Sequence, residues 1–256
     1  PNNLTGEIFI PGDKSITHRA IMLGSLSNGR LDIKNSLLSE DCKRTIDAFI
    51  KLGVDITIDD TTISIYGKGL NALKPPCSII DAGNSGTLAR LISGVLAVQN
   101  FDSSISGDSS LVKRPMKRII DPLTVAGANI SSNDNLMPLS FKQSGKLKVI
   151  NYTCLIPSAQ IKSCLVLASL FLDGTSIIKE TIKTRDHTER MLQFLDYPIS
   201  IDDKIISING KGTIVAKDIR IPSDISSASF LIVGALIAPN SNIILKSIGI
   251  NPFRTG

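Results

Sequence analysis

The residues best suited to chemistry begin near the N-terminus, where a Pro-Gly turn signal precedes a helical pattern. Lys14 and Ser15 stand at the predicted helix start, and Arg19 follows about one turn later. The first turn of a helix offers free N–H groups and partial positive charge, so added cations favour a phosphate or carboxylate there. Taken alone, the stretch is better explained as an ordinary helix cap with solvated cations.

Two later loops also combine cations with turn residues. The loop that contains Asn84 and Gly86 lets backbone N–H groups approach an anion closely, and it leads into a helix that carries Arg90. Arg114 precedes a proline that can open a helix, and its guanidinium can hold a carboxylate through two parallel hydrogen bonds. Ordinary turn chemistry explains the first loop as well, and a solvated basic turn is the better interpretation of Lys113.

Two helix starts in the second half carry further polar groups. Ser158, Ala159 and Gln160 open a helix that is otherwise apolar, and Arg185 comes just before another helix. Capping explains Ser158 equally well. Capping does not explain Gln160, for which an ordinary exposed position is the alternative.

These motifs are distributed along an internal repeat. Similar helix-turn-strand segments start at residues 44, 118 and 190, so they recur at intervals of 74 and 72 residues. Between them lie apolar helices that open near Lys14, Asn84, Ser158 and Ser226. A period of this length predicts one supersecondary unit used several times to build a shared core. Three units are complete, and the fourth has no second half.

Each unit is predicted as strand, helix, strand, helix and a final pair of strands, which places the fold in the α/β (α+β) class. The three complete units occupy residues 13–221. Residues 1–12 and 222–256 fall outside them and are assigned to a second, incomplete domain. Because the chain opens at Pro1 without a methionine, we expect a fragment of a longer protein.

Composition excludes several classes of function. The net charge is +5, but with no Trp, 3 Tyr and no run of basic residues, a nucleic-acid-binding surface is poorly supported. The apolar runs are too short to cross a bilayer. The 4 cysteines lack metal-ligand spacing and indicate reduced thiols of a cytoplasmic protein. His18 and His187 have no nucleophile or metal partner at useful spacing, so both are interpreted as structural or solvated. No metal or cofactor is expected.

Threefold packing would bring all five motifs to one face, where they would form a site for a small anion. The motifs are Pro-Gly-Asp-Lys-Ser-x-Thr-His-Arg-Ala from residue 11, Gly-Asn-Ser-Gly-Thr from residue 83, Lys-Arg-Pro-Met from residue 113, Ser-Ala-Gln from residue 158 and Arg-Asp-His-Thr-Glu from residue 185. In this order they resemble the 5-enolpyruvylshikimate-3-phosphate synthases, over residues 4–256.

That resemblance implies an enolpyruvyl transferase fold, an inside-out α/β barrel of six repeated units in two domains that close over the substrates. It implies transfer of the enolpyruvyl group of phosphoenolpyruvate to the 5-hydroxyl of shikimate 3-phosphate, without a cofactor, by a monomer. By motif matching, shikimate 3-phosphate would be bound by Lys14, Ser15, Arg19, Ser158, Ala159, Gln160 and Arg185. Phosphoenolpyruvate would be bound by Lys14, Asn84, Gly86, Arg114 and Gln160, with Thr87 shaping the loop. Lys14 alone would have a catalytic role.

The resemblance also assigns the general base and proton donor to the part of the second domain beyond residue 256, so we expect this chain alone to be inactive. Asp224 matches a structural crossover motif and does not replace them. Two alternatives remain. The related enolpyruvyl transferases that act on UDP-N-acetylglucosamine carry Lys-Asn in place of Lys14-Ser15, and usually a reactive Cys in place of Ser109. A non-catalytic anion-binding module would show steep salt dependence and indifference to Arg114→Ala.

Overall fold

A computed structural model of the chain describes residues 3–145 and 147–255. Its α-helices are α1 (Lys14–Leu26), α2 (Glu40–Lys51), α3 (Gly86–Leu96), α4 (Lys117–Val125), α5 (Ala159–Ser169), α6 (His187–Phe194) and α7 (Ile225–Ile237). Its strands are β1 (Thr5–Phe9), β2 (Asn28–Lys34), β3 (Asp55–Asp59), β4 (Thr62–Lys68), β5 (Ile80–Asp81), β6 (Ser103–Ser106), β7 (Asn129–Asn133), β8 (Leu136–Lys142), β9 (Asn151–Cys154), β10 (Thr175–Glu180), β11 (Ile199–Asp202), β12 (Ile205–Asn209), β13 (Ile219–Arg220) and β14 (Asn242–Lys246).

The predicted repeat is visible as sheets of identical topology. One four-stranded sheet has the order β5-β6-β8-β7, and another has the order β9-β10-β12-β11. In both, the first pair of strands is parallel and the remaining pairs are antiparallel. A parallel pair requires a crossover, which α3 and α5 supply, while the antiparallel pair is a tight hairpin. The predicted strand-helix-strand-helix-hairpin unit and the α/β class are therefore confirmed.

The first sheet takes one strand from a distant part of the chain. Its order is β13-β2-β4-β3, and β13 runs parallel to β2 with Ile219 opposite Ile33. Residues 219–220 thus hold the place that β5 and β9 hold in the other sheets. The Asp13 N–H donates to the Pro222 carbonyl over 2.8 Å, which ties the entry to the first unit to the exit from the third.

Three helices form the shared core. Residues 17–26 of α1 and 161–169 of α5 are buried throughout, as is most of α3. Because these helices are covered by sheets and by each other, their buried stretches can be largely apolar, as the repeat predicted. In α2, α4 and α6, by contrast, buried positions alternate with exposed ones at helical spacing.

Glycine allows α3 and α5 to approach closely. A Cβ atom at Gly94 would lie 2.0 Å from the carbonyl oxygen of Cys164. That oxygen belongs to the backbone of a buried helix, so a side chain at position 94 would push the two helices apart.

Two further strands and the last helix form a smaller assembly. β1 and β14 pair in parallel, and α7 lies beside β14. Within α7 only Ala228 is buried, and Phe230 and Leu236 are 81% and 80% exposed. A helix that is apolar on all sides normally lies inside a core. Because α7 is instead largely exposed, it presents an extended apolar surface.

We predict that Gly94→Ala will lower the free energy of unfolding by about 3 kcal/mol, since the added methyl group meets backbone atoms that cannot rotate away. Urea denaturation of the purified chain measures this. Gly24→Ala in α1 is the matched control, because a Cβ there meets only the side-chain ends of Ile65 and Leu31 at 3.1 Å. Equal effects of the two substitutions would contradict the argument.

Candidate functional site

The starts of four helices meet at one cavity. A cavity of about 120 Å³ is lined by Ser15, Arg19, Thr87, Ala159, Gln160, Arg185 and His187, which lie at or near the N-terminal ends of α1, α3, α5 and α6. A neighbouring cavity of about 480 Å³ is lined by Pro157, Ser158, Ala159, Gln160, Lys183, Thr184, Arg185 and Phe253. The two share Ala159, Gln160 and Arg185. Helix N-termini give such a region a positive potential before any side chain is counted.

Side chains cap the three core helices at this end. Asp13 accepts from the Ile16 N–H at 2.9 Å, Ser85 from Leu88 at 3.2 Å and Ser158 from Ile161 at 3.4 Å. The capping interpretation of Ser158 is therefore confirmed, and the same residue also lines the larger cavity. Burial raises the pKa of the Asp13 carboxyl.

Arg19 is buried and firmly held. Its Nε donates to Thr188 Oγ1 at 2.7 Å, one terminal nitrogen donates to Ser163 Oγ at 2.9 Å, and the other donates to the Ser15 carbonyl at 2.9 Å. Burial lowers the pKa of Arg19 to about 10, so its guanidinium remains charged at neutral pH. It supplies a fixed positive charge at the wall of the smaller cavity.

Arg185 and Lys14 differ in their surroundings. Arg185 is exposed and lines both cavities, and among the described residues it makes no ion pair. Lys14 lines neither cavity, and its ammonium pairs with Asp41 at 3.0 Å. Asp41 is a partner that the sequence analysis missed, because residues 27 positions apart are not coupled by any local pattern.

Asn84 holds Arg114 in place. One Arg114 terminal nitrogen donates to Asn84 Oδ1 at 2.5 Å, and Asn84 Nδ2 donates to Asp108 Oδ2 at 2.7 Å. The Asp108 carboxylate also accepts the N–H groups of Ser110 and Leu111. Through these bonds the turn before Arg114 and the glycine-bearing loop form one unit, as their predicted convergence requires.

Gly86 makes room for two guanidinium groups. A Cβ at this position would lie 2.8 Å from a terminal nitrogen of Arg90 and 3.3 Å from one of Arg114. Arg90 also donates to Gln160 Oε1 at 3.3 Å, while Gln160 Nε2 donates to Thr87 Oγ1 at 3.3 Å. Burial and then the charges of Arg114 and Arg118 lower the pKa of Arg90. Gln160 thus joins the arginine cluster to the smaller cavity.

Arg90 was not among the predicted binding residues, although its spacing from Gly86 in the sequence indicated its position. It follows Gly86 by four residues, so both lie on the same face of α3. Another missed residue is Arg254, which pairs with Asp13 at 3.1 Å and Asp224 at 2.7 Å and donates to Ser15 Oγ at 3.4 Å. Asp224 also caps α7 by accepting from the Ser226 N–H, which agrees with a structural role.

Both histidines are buried and neutral. His18 Nδ1 lies 2.7 Å from Thr45 Oγ1, and burial lowers the pKa of His18 to about 3. Burial, followed by the charge of Arg19, lowers the pKa of His187 to about 4. His18 fits the structural interpretation, whereas His187 additionally lines the smaller cavity.

The four cysteines are unpaired thiols. Cys42, Cys154 and Cys164 are buried free thiols, and Cys77 is an exposed one. Residues 3–145 and 147–255 contain no group of three or more potential metal ligands. Over the same ranges, no helix has both the length and the apolar character needed to cross a membrane.

Comparison with known proteins identifies the family. The family model for EPSP synthase (3-phosphoshikimate 1-carboxyvinyltransferase) matches residues 1–256. The chain belongs to the EPSP synthase family. It is 50% identical over 255 residues to the 3-phosphoshikimate 1-carboxyvinyltransferase of Ruthia magnifica, covering 100% of this chain and 59% of the relative. For the protein of the same name from Endomicrobium trichonymphae, the values are 47%, 100% and 60%.

A solved EPSP synthase structure has the same fold. The enzyme from Acinetobacter baumannii superposes with a TM-score of 0.93 at 42% identity, covering 99% of this chain and 58% of that one. This likeness confirms the predicted enolpyruvyl transferase fold. The chain therefore spans about 59% of the length of the curated EPSP synthases it matches.

We predict that this chain loses stability as the pH falls below 6.5, because unfolded His18 takes up a proton near 6.5 and folded His18 only near about 3. His18→Gln should reduce the slope of unfolding free energy between pH 6 and pH 5 by about 1.4 kcal/mol per pH unit. Urea titrations at several pH values measure this slope. Above pH 7.5 the slopes of the two proteins should coincide, and equal slopes at acid pH would refute the assignment.

Proposed function

We propose that this chain carries the shikimate 3-phosphate half-site of an enzyme that transfers the enolpyruvyl group of phosphoenolpyruvate to the 5-hydroxyl of shikimate 3-phosphate, which releases phosphate. The observation that carries the proposal is the smaller cavity, where Ser15, Arg19, Ala159, Gln160 and Arg185 lie together. All five were singled out for this substrate by their motifs. The names of the relatives describe the same reaction.

In this proposal the shikimate 3-phosphate phosphate group binds where helix starts and cations coincide. Arg185 has no competing ion pair among the described residues, so its guanidinium is available for a phosphate. Ser158 and Ser15 offer hydroxyl groups, and buried Arg19 adds a fixed charge behind them. Charge-assisted hydrogen bonds of this kind are about twice as strong as neutral ones.

Phosphoenolpyruvate would bind beside it, against Gly86, Asn84, Arg114 and Gln160. Arg114 is already oriented by Asn84, and the missing side chain at Gly86 leaves the guanidinium groups close to the loop backbone. Lys14 would join both substrates after leaving Asp41. An exposed pair such as Lys14–Asp41 contributes only about 0–1 kcal/mol, so a multiply charged ligand can displace it.

The chemistry needs more than these groups. Addition of a proton and of the substrate hydroxyl to the enol gives a tetrahedral intermediate, and the cations would position the reactants and stabilise developing charge. A general base and a proton donor are also required. The described linings of the two cavities contain no carboxylate, and His187, with a pKa of about 4, is a weak base at neutral pH.

We also propose that residues 13–221 form one domain and that residues 1–12 and 222–256 belong to a second. The exposed apolar surface of α7 supports this division, because further chain packed against it would complete a core. Unpaired thiols support a cytoplasmic location. We propose that the protein is a monomer, which light scattering can test.

We predict that the purified 256-residue chain releases no phosphate from shikimate 3-phosphate and phosphoenolpyruvate, because neither cavity provides the carboxylate base. A coupled phosphate-release assay measures this, with a full-length relative as the positive control. Sustained turnover that scales with chain concentration would contradict the assignment of base and acid to other parts of the enzyme.

We predict that the chain binds shikimate 3-phosphate more tightly than it binds shikimate. Arg185→Ala should weaken the binding of shikimate 3-phosphate about 10- to 100-fold, because it removes a charged hydrogen bond. Isothermal titration calorimetry measures both ligands. Arg220→Ala removes the same charge from an exposed position on β13 and serves as the control. Equal weakening by both substitutions, with steep salt dependence, would favour the non-catalytic anion-binding module instead.

A further inference from the structure

A buried lysine lies directly behind the cavities without lining either of them. Lys162 on α5 is 1% exposed, and its ammonium lies 2.9 Å from Glu180 Oε2 and 2.7 Å from Glu189 Oε1. Glu180 ends β10 and Glu189 lies on α6, so one ammonium group connects three elements. The site described above assigns no role to these three residues.

Stability alone does not account for such a cluster. Removing charges from water is costly, and well-packed apolar residues of similar volume often stabilise a core equally well. Burial raises the pKa of the Glu189 carboxyl, and the charges of Lys162 and Arg19 act in the opposite direction. A buried ion cluster does, however, fix the relative positions of its members more narrowly than apolar packing, because each hydrogen bond has a preferred direction.

The cluster holds the backbone at Thr184. Lys162 Nζ donates to the Thr184 carbonyl at 3.3 Å. Glu180 Oε1 accepts from the Thr184 N–H at 3.1 Å and from its hydroxyl at 2.5 Å. The Thr184 carbonyl and the Arg185 N–H belong to one planar peptide unit, so these bonds fix the direction in which the chain enters Arg185.

Helix α5 thereby sets the distance between the two arginines of the proposed phosphate site. Lys162 fixes the segment before Arg185, and the next residue, Ser163, accepts from Arg19 at 2.9 Å. Gln160, which precedes Lys162 by two residues, lines the smaller cavity. Adjacent positions of one rigid helix therefore locate groups that come from α1, α5 and the loop before α6.

We propose that Lys162 is a positioning residue for Arg185: it holds the Thr184–Arg185 peptide so that the guanidinium meets the phosphate of shikimate 3-phosphate. This inference rests on the proposed function for the identity of the ligand. It requires that Lys162 influence binding only through Arg185, since Lys162 lines neither cavity.

A double-mutant cycle tests that requirement. Shikimate 3-phosphate binding is measured by calorimetry for wild type, Lys162→Met, Arg185→Ala and the double variant. Lys162→Met should weaken binding about 10-fold in the wild-type background and leave the already weakened Arg185→Ala protein unchanged, because residues that act as one unit are non-additive. A merely structural effect would weaken both backgrounds alike, and that result would overturn the inference.

Two further variants serve as a control and as a substitute for Lys162→Met. Lys179→Met makes the same substitution at an exposed position beside Glu180, and binding should not change. Lys162→Met/Glu189→Gln, the charge-balanced variant, removes one charge of each sign, so the cluster keeps the net charge of the wild type if Lys162→Met alone does not fold. The charge-balanced variant should still weaken binding about 10-fold relative to Glu189→Gln.

Amide hydrogen exchange without ligand separates this inference from the proposed function. Exchange at Thr184 should accelerate about 10-fold in the charge-balanced variant relative to Glu189→Gln, while exchange at Ile178 in the middle of β10 stays unchanged. If wild type does not bind shikimate 3-phosphate, the proposed function fails, whereas the exchange result still decides whether Lys162 holds the loop. Unchanged exchange at Thr184 would overturn the inference even if the ligand binds.

Discussion

The parallel pairing of two strands in each sheet is the constraint on which the rest of the molecule depends. A helix that joins parallel neighbours must run back along the sheet, so α3 and α5 each begin after the carboxyl end of a first strand. The pairing of β13 with β2 gives α1 the same relation to its sheet. Three repeats of one topology therefore place three helix N-termini together, where the proposed anion site lies.

Such a gathering of cations and helix dipoles is unfavourable because like charges repel, so each group must be held in place against that repulsion. The structure restrains them individually: Asn84 holds Arg114, two hydroxyl groups hold Arg19, and the Lys162 cluster holds the backbone before Arg185. Restraint of this kind leaves little to reorganise when an anion arrives, which is the general basis of tight binding by preformed sites. Two cations are less restrained at their side chains: Lys14 pairs with the partly exposed Asp41, and Arg185 makes no ion pair among the described residues.

The sequence allowed the repeated unit, the core helices and most cavity-lining residues to be predicted, because those features depend on periodicity and on local motifs. It did not reveal that β13 joins the first sheet beside β2, since β13 has only two residues and no periodic pattern. Nor did it reveal the pairs Lys14–Asp41 and Lys162–Glu189, whose members meet only through tertiary packing.

The pairing of β13 with β2 also has consequences for folding during synthesis. The second and third sheets are each built from neighbouring segments, so each can form soon after its own residues emerge. The first sheet cannot, because contacts such as that between Asn35 and Ile221 span 186 residues. Of the three four-stranded sheets, the one that begins earliest in the chain is therefore completed last, and the free edge of β2 stays open to other strands until residues 219–220 emerge.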